Sequence, residues 1–340
     1  LPLSIIKYSK YSVVIINPMN ILVTGGAGYI GGAMVRKLLA EGQMVTVVDN
    51  LSRGHKESIP TAVKFVQADI LDKPALEKVF VEGQFEAVLH FAAFIEAGES
   101  MKDPGMFFVN NVIGSQQVIE LCVKYKAAKF VFSSTAAVYA TSDQPLSEQS
   151  PLAPANFYGQ TKLMVENILA WYHKIHGLKY AVLRYFNAAG ALSDHGEAHQ
   201  PESHLIPRVL SVALGKQSEL TLFGRDYPTF DGTCVRDYIH IADLVSAHIL
   251  ALKALDNQQV LTYNLGNGTG YSNLQVIETA RAVTGKKIEV KDLPARVGDA
   301  PKLTADSSKI RQELGWQPQY PDLKDIIASA WEWHVSQTKI

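Results

Sequence analysis

Tyr158 and Lys162 are the two side chains of this sequence whose types and spacing best suit acid–base chemistry. Four residues apart on a helix, they would lie on one face, one turn from each other. Free tyrosine has a pKa of about 10 and is a poor base at neutral pH, but a nearby ammonium group stabilises its phenolate. The pair therefore indicates a general base for a hydroxyl proton. Because this spacing is common on helix surfaces, the interpretation depends on the surrounding elements.

A run of hydroxyl side chains follows the apolar stretch FVF, upstream of the tyrosine. Capping of a turn is the alternative interpretation for each of these hydroxyls taken singly. At the end of a buried strand, a hydroxyl is well placed to relay a proton to Tyr158. Among Ser133, Ser134 and Thr135, we expect Thr135 to have this role.

The segment GGAGYIG lies inside a predicted βαβ unit, with a strand at 20–24, a helix at 29–40 and a second strand at 45–48. Its glycines, Gly25, Gly28 and Gly31, would let phosphate oxygens approach bare backbone at a helix N-terminus. A tight strand-to-helix turn without a ligand is the weaker alternative, since the whole unit is present. The pattern therefore predicts a dinucleotide site.

Asp49 ends the second strand of this unit. A carboxylate at this position accepts hydrogen bonds from both hydroxyls of the adenosine ribose and repels a 2′-phosphate. A solvated loop acid is the alternative, and Arg53 nearby could weaken the discrimination. The sequence favours NAD over NADP.

Strands and helices continue to alternate, with strands at 62–67, 87–91, 130–133 and 180–185 and helices at 73–82, 106–125 and 159–175. The strands are almost wholly apolar, which indicates burial on both faces of a parallel sheet. We therefore predict an α/β fold: a doubly wound parallel Rossmann sheet with a smaller mixed α/β substrate-binding lobe. Ligands bind at the carboxyl ends of such strands, so cofactor contacts are expected at Asp69, Ile70, Phe91, Ala92 and Ala93.

Three segments divide the chain. Residues 1–18 lack the features of an export signal and are expected to be a disordered or non-native leader. Residues 19–187 are predicted to form mainly the NAD-binding domain. The sequence then becomes loop-rich, with a late helix at 323–333, and residues 188–340 are predicted to form mainly the substrate-binding lobe.

Composition excludes several classes of function. The formal net charge of −1 provides no field that would attract nucleic acid or an acidic membrane. No apolar run approaches the ~20 residues of a membrane span. Cys122 and Cys234 lie far apart without metal-ligand spacing, which favours a reducing, cytoplasmic location and predicts no metal site.

Ten segments together resemble the extended short-chain dehydrogenase/reductases, and more narrowly the UDP-glucose 4-epimerase family. They are GGAGYIG, DNLSRG, HFAA, NNVIGS, FSSTAAVY, YGQTK, RYFNAAG, FGRDYPTFDGTCVRDYIHI, YNLGNG and ARVGD. The resemblance extends from Met19 to about His334. The long block around Arg236 is far more specific than the glycine motif.

The resemblance implies an isomerase of galactose metabolism that interconverts UDP-galactose and UDP-glucose with tightly bound NAD. Tyr158 would take the proton of the sugar 4-hydroxyl while hydride leaves C4. Lys162 would lower the tyrosine pKa and bind the nicotinamide ribose, with Thr135 bridging tyrosine and sugar. The 4-keto sugar would then turn about its bond to the diphosphate and be reduced on its other face.

The same resemblance implies the remaining binding residues. Further cofactor contacts are expected at Tyr29, Ile30, Asn50, Asn110, Ser133 and Phe186. Substrate would be lined by Asn187, His204, Leu205 and Phe223, with its diphosphate held by Arg236 and Arg296 and its uridine ribose by Asp299. A forked guanidinium suits a diphosphate because it donates two hydrogen bonds in one plane. The family also implies a homodimer formed through the helices at 106–125 and 159–175.

Several positions depart from the family pattern. Thr135 replaces a common serine and keeps the hydroxyl, whereas Ile95, His204 and Ala140 stand where members carry lysine, asparagine and glycine. The alternatives are a related sugar-nucleotide dehydratase or uronate epimerase, and a silent NAD-binding sensor. A dehydratase needs an acid–base pair where this chain has two alanines, and a sensor would have lost the tyrosine and lysine.

Leu303 occupies a position that varies in the family between tyrosine and smaller residues. A small side chain there leaves room for an N-acetyl group on the sugar. We therefore predict that UDP-N-acetylglucosamine and UDP-N-acetylgalactosamine are also interconverted. The alternative is that leucine itself fills this space.

Overall fold

The computed structural model describes residues 18–199, 202–295 and 300–338. The expected leader, apart from its last residue, lies outside this range. So do Arg296 and Asp299, two of the predicted substrate ligands.

A seven-stranded parallel sheet forms the centre of the described chain, with strand order β10-β6-β5-β4-β1-β2-β3. The predicted doubly wound fold is confirmed. Its strands are β1 Asn20–Thr24, β2 Met44–Asp49, β3 Lys64–Gln67, β4 Ala87–His90, β5 Lys129–Thr135, β6 Lys179–Tyr185 and β10 Val260–Leu265. The helices of this half are α1 Tyr29–Ala40, α2 Lys73–Gly83, α3 Ala97–Ser100, α4 Pro104–Phe107, α5 Gly114–Lys124 and α6 Phe157–His176.

The sheet is buried on both faces, as its apolar strands predict. On one face, α1 packs against the sheet with a later helix, α8 Ile241–Ala254, and residues such as Met34 and Leu244 are fully buried there. On the other face, α2, α5 and α6 contribute to a second core around Phe130. Within the described residues, no helix is long and apolar enough to span a membrane.

The smaller lobe is built from short strands and helices. It contains β7 Asn187–Ala189, β8 Leu220–Phe223, β9 Val235–His240, β11 Gly270–Ser272, β12 Val290–Leu293 and β13 Lys302–Leu303, with α7 Leu205–Ala213, α9 Asn273–Thr284 and α11 Leu323–Ser336. A further helix, α10 Ser308–Leu314, packs on β10 and α8 of the larger half. Helices α7, α9 and α11 enclose a third apolar core. A cut at residue 187 does not describe the sheet completely, because β10 pairs with β6 and α8 packs on α1.

The helix predicted at 106–125 is interrupted. After α4, residues Phe108–Ile113 form a wider π-helical turn before α5 begins. The side chain of buried Asn111 explains this departure, since it accepts from the Phe94 N–H at 2.8 Å and donates to the Phe94 carbonyl at 2.9 Å. Wider turns of this kind are frequent at functional sites, and this one includes the predicted cofactor residue Asn110.

Helix α6 is fixed to the sheet by a buried ion pair. Arg184 on β6 donates two hydrogen bonds to Glu166 on α6, at 2.6 and 3.1 Å, and a third to the Tyr139 hydroxyl at 2.8 Å. The Arg184 and Glu166 side chains are only 6% and 8% exposed. The helix begins at Phe157, where the side chain of Asn156 accepts from the Gly159 N–H at 2.9 Å. The cap and the ion pair together set the position of the first turn.

Arg184→Met should lower the free energy of unfolding by about 3–5 kcal/mol, because Glu166 would remain buried without its cation. Denaturant unfolding followed by circular dichroism measures this loss. Lys102→Met is the matched control, since it removes an exposed pair with Glu99 and should cost less than about 1 kcal/mol. Equal losses in the two variants would contradict this role of the buried pair.

Candidate active site

A cleft of about 90 Å³ opens at the carboxyl edge of the sheet. Nine of the predicted cofactor residues line it: Gly25, Gly28, Asp49, Asn50, Ile70, Phe91, Ala92, Ala93 and Asn110. The cleft lies beside the N-terminus of α1, whose free N–H groups attract phosphate. The residues present therefore fit a dinucleotide.

The glycine turn leaves no space for side chains. A Cβ atom on Gly25 would lie 2.6 Å from the Ala92 nitrogen, and one on Gly31 would overlap the Gly25 carbonyl oxygen. Gly25 also has a φ of +74°, a conformation that other residues rarely adopt. These contacts hold β1, the start of α1 and the end of β4 at the close distance that a phosphate cradle requires.

Asp49 lies where a carboxylate can meet the adenosine ribose. Its two oxygens accept from the N–H groups of Ala27 at 3.0 Å and Leu51 at 2.8 Å, which fix its orientation. Burial raises the pKa of its carboxyl, and these two hydrogen bonds act in the opposite direction. Asp69 lies behind the cleft wall, where it accepts from the Asn50 amide at 2.8 Å. It therefore positions Asn50 within this arrangement.

Arg53, considered as a possible 2′-phosphate partner, is already engaged. Its Nε donates to Glu96 at 3.0 Å, and its guanidinium lies 5.4 Å from the centre of the Phe94 ring. Arg53 also lines both the dinucleotide cleft and a larger neighbouring cavity. The pairing favours NAD over NADP, because a 2′-phosphate would have to compete with Glu96 for this cation.

Tyr158, Lys162 and Thr135 meet at the carboxyl end of β5. Tyr158 is half-buried in the first turn of α6, and its hydroxyl is hydrogen-bonded to Thr135. Lys162 is 3% exposed and donates to the Ser133 carbonyl at 2.8 Å, with its Nζ 6.0 Å from the centre of the Tyr158 ring. The predicted acid–base group is thus assembled, although none of its three members lines the two cavities.

In the chain without cofactor, the electrostatics of this group raise the pKa of the tyrosine. Burial raises the pKa of Tyr158 to about 12, the Thr135 hydrogen bond acts to lower it, and Glu96 raises it further. Burial also lowers the pKa of Lys162 to about 7, with Glu166 acting in the opposite direction. The chain's own groups therefore keep Tyr158 protonated. A lower pKa requires a further positive charge beside its ring.

The larger cavity, of about 1040 Å³, lies between the sheet edge and the smaller lobe. Predicted substrate residues in its wall are Asn187, His204, Leu205, Phe223 and Arg236. Arg236 is held by hydrogen bonds from its Nη1 to the carbonyls of Val235 and Ala300, at 2.9 and 2.8 Å. The cavity therefore collects predicted substrate residues from four elements of the chain, β7, α7, β8 and β9, and from the residue before α7.

Four further predicted site residues do not line the dinucleotide cleft: Leu303, Phe186, Tyr29 and Ile30. Leu303 lies on β13 beside Arg236 of β9, outside the cavity lining, and packs with Phe186 in a small apolar cluster. Tyr29 faces the larger cavity, and its hydroxyl donates to the Gly190 carbonyl at 2.7 Å. Ile30 packs against the core beside α1. These contacts leave only backbone atoms of Tyr29 and Ile30 suited to a phosphate.

Two residues at the site were missed from the sequence. Glu96 lines the larger cavity and acts on both Arg53 and Tyr158. Asn111 donates to the Thr161 hydroxyl at 3.2 Å, which links the π-helical turn to the helix that carries the tyrosine. In the sequence, Glu96 lies within the segment HFAAFIEAGES and Asn111 is the second residue of the pair NN. The roles of both residues depend on contacts between segments that are distant in the chain.

Gly31→Ala should abolish retention of bound dinucleotide, because the added methyl overlaps the Gly25 carbonyl and the turn must open. Nucleotide released from the denatured protein, measured by chromatography, gives the occupancy. Gly105→Ala is the control, since its methyl would meet only the Asp103 carboxylate, at 3.6 Å. Full occupancy in Gly31→Ala would show that the turn tolerates a side chain.

Comparison with known proteins agrees with this geometry. Residues 21–266 match the model of the NAD dependent epimerase/dehydratase family. A UDP-glucose 4-epimerase of Lacticaseibacillus casei is 47% identical over 93% of this chain and 97% of its own length. The Brucella ovis UDP-glucose 4-epimerase in complex with NAD is 41% identical, with a TM-score of 0.88, over 92% of this chain and 97% of that one. The UDP-Glc/GlcNAc 4-epimerase of Campylobacter jejuni is also 41% identical, with a TM-score of 0.81, over 93% and 99%. This chain belongs to the NAD dependent epimerase/dehydratase family and, within it, to the UDP-glucose 4-epimerases.

Proposed function

We propose that this enzyme interconverts UDP-galactose and UDP-glucose by transient oxidation at C4 of the sugar. The observation that carries the proposal is the hydrogen-bonded Tyr158 and Thr135 beside buried Lys162, at the sheet edge that also holds the glycine turn. When bound, NAD supplies the hydride acceptor at C4 and then returns the hydride. The cofactor is unchanged after a full cycle, so the reaction is an isomerisation.

Tyr158 acts as the general base in the first half of the reaction. Its phenolate oxygen takes the proton of the sugar 4-hydroxyl, and Thr135, already hydrogen-bonded to Tyr158, bridges to the sugar oxygen. The Lys162 ammonium stabilises the phenolate and binds the nicotinamide ribose. In the second half of the reaction Tyr158 returns the proton to the 4-keto oxygen, and this restores the 4-hydroxyl.

The nucleotide must be bound more firmly than the sugar, because the 4-keto sugar rotates and presents its other face between the two half-reactions. Arg236 supports this division, since hydrogen bonds to two carbonyls fix its guanidinium in the cavity wall. Asn187 is also held, through its amide donating to the Asp237 carbonyl at 3.0 Å. Rigid groups on the diphosphate and ample space around the sugar suit a substrate that pivots.

An elimination reaction is disfavoured at this site. Ala136 is buried and Ala137 follows it, where a dehydratase would carry an acid and a base. A silent sensor is also disfavoured, because the chain keeps a 3% exposed lysine next to the tyrosine. A buried ammonium is costly, and its position beside the tyrosine suits stabilisation of a phenolate, which dinucleotide binding alone does not require.

Purified protein should convert UDP-galactose to UDP-glucose without added cofactor. Tyr158→Phe should lower turnover by at least ~10², the usual contribution of a general base, while the bound dinucleotide is retained. Coupled detection of UDP-glucose measures the rate, and Tyr125→Phe, at a half-buried tyrosine outside both cavities, is the matched control. A requirement for stoichiometric NADPH, a net oxidised product, or unchanged turnover in Tyr158→Phe would overturn the assignment.

N-acetylated UDP-hexoses are further proposed substrates. The Campylobacter jejuni relative is described as a UDP-Glc/GlcNAc epimerase, which supports a shared pocket for both sugars. Leu303 is only partly buried and adjoins Arg236 on the neighbouring strand. Leu303 itself does not line the cavity, but its strand partner Arg236 does. We propose that the longer side chain of an aromatic residue at this place reaches past Arg236 into the cavity and crowds a substituent at C2.

Leu303→Tyr should lower the kcat/KM for the N-acetylated substrate relative to that for UDP-galactose, because steric selection changes the difference between two transition-state energies. Both values are measured for wild type and variant. Leu303→Met preserves volume and is the control. Strong discrimination by the wild type, or an unchanged ratio in Leu303→Tyr, would show that Leu303 is not the gate.

We also propose a homodimer formed through the π-helical turn with α5 and through α6. Large apolar side chains on these segments are exposed: Phe108, Val109, Ile113, Trp171 and Ile175. Burying them against a second copy would recover hydrophobic free energy. Sedimentation equilibrium at micromolar concentrations should give twice the mass of one chain, and a monomer mass would contradict the dimer.

A cytoplasmic location is supported by two buried cysteines that are not paired.

A further inference from the structure

The dinucleotide cleft is narrow for the ligand that its residues suit. Its volume is about 90 Å³, whereas pockets for small molecules and cofactors usually measure about 300–1,000 Å³. One wall of the cleft is the loop after β2, and another is the segment 91–94 after β4. Because β1 lies between β4 and β2 in the sheet, these walls flank the glycine turn on opposite sides. A dinucleotide can therefore pass only when the walls part or a side chain at the rim swings away.

Arg53 and Glu96 join the two walls. Nε of Arg53 donates to Glu96 at 3.0 Å across 43 residues of chain, and the Arg53 guanidinium lies 5.4 Å from the centre of the Phe94 ring. We call the pair of Arg53 and Glu96 the latch. Within the described residues, Arg53 is the only one that lines both the cleft and the larger cavity. The latch therefore lies at the rim between the two spaces.

Each half of the latch is carried by a fixed backbone. On the β2 side, Gly54 packs so closely on Ala27 that an added Cβ atom would lie 2.7 Å from the Ala27 carbonyl carbon. On the β4 side, the Glu96 carbonyl accepts from the Ser100 N–H at 3.0 Å as α3 begins. The Arg53 side chain is 38% exposed and that of Glu96 is 12% exposed. The arginine side chain is therefore the part that can swing outward.

The latch is stronger than an ordinary surface ion pair. Its carboxylate is mostly shielded from water, and a hydrogen bond between charged groups is strengthened in such surroundings. The contact of the guanidinium with the Phe94 ring adds a further attraction. Phe94 itself packs on fully buried Phe107, with ring centres 5.9 Å apart. Opening the latch therefore costs free energy whenever the dinucleotide passes.

We propose that the latch sets the rate at which the dinucleotide enters and leaves its cleft. The contact is broken only during passage, so it slows entry and exit by the same factor and leaves the affinity unchanged. Slow release suits an isomerase, because a dinucleotide lost between the two half-reactions would leave the sugar oxidised. This role depends on dinucleotide binding alone and holds whatever the chemistry at C4.

Release is measured on holoenzyme loaded with radiolabelled NAD and diluted into unlabelled NAD. Arg53→Met should release the label at least about tenfold faster than the wild type, because a hydrogen bond between charged groups contributes about that factor. Glu96→Ala should have the same effect. Equilibrium dialysis against labelled NAD should give an unchanged Kd for both variants, whereas a damaged cleft would raise the Kd together with the release rate.

A double variant and a control separate the latch from a general loss of structure. Arg53→Met/Glu96→Ala should release NAD no faster than the faster single variant, since both changes break one contact. Arg225→Met is the control, because Nε of Arg225 pairs with Asp292 at 2.9 Å, its side chain is 41% exposed, and it lines neither cavity. It should release NAD at the wild-type rate. Unchanged release in the single variants, additive effects in the double variant, or a Kd that rises with the release rate would overturn the latch.

Discussion

Arg184 and Glu166 form an ion pair almost closed off from water between β6 and α6. A buried pair rarely stabilises a protein more than apolar residues would, but it strongly disfavours any arrangement that separates the charges. The pair therefore fixes the axial position of α6 against the sheet. Tyr158 and Lys162 lie on the turns before Glu166, so their distance from β5 depends on the same constraint. Gly159 supports it, because a side chain there would overlap the Ala137 carbonyl.

Most of the central sheet could be predicted from the sequence, because its signals are local. Apolar runs and the glycine turn define β1, α1 and β2 within thirty residues of one another, and the predicted bounds differ by a residue at most. The interruption at 108–113 could not be predicted, since it follows from hydrogen bonds between Asn111 and the distant backbone of Phe94. Strand β10 was missed for a related reason: only tertiary pairing assigns it to the edge beside β6.

Site residues could be predicted where a chemically suitable residue follows the end of a predicted strand. Tyr158, Lys162 and Thr135 meet as expected, and Asp49 lies at the end of β2. Burial was harder to anticipate. It raises the pKa of Tyr158 to about 12 in the chain without cofactor.

The pairing of β10 with β6 has a consequence for how the protein is made. The two strands are neighbours in the sheet, yet β7, β8, β9, α7 and α8 lie between them in the chain. During synthesis the edge of β6 remains unpaired until the ribosome has released much of the smaller lobe, and open edges favour aggregation. The core on the α2, α5 and α6 face contains only residues that precede β10, whereas the core on the α1 and α8 face includes Leu261 and Tyr263 of β10 itself. One face of the sheet can therefore close early in synthesis, and the other only after β10 has emerged.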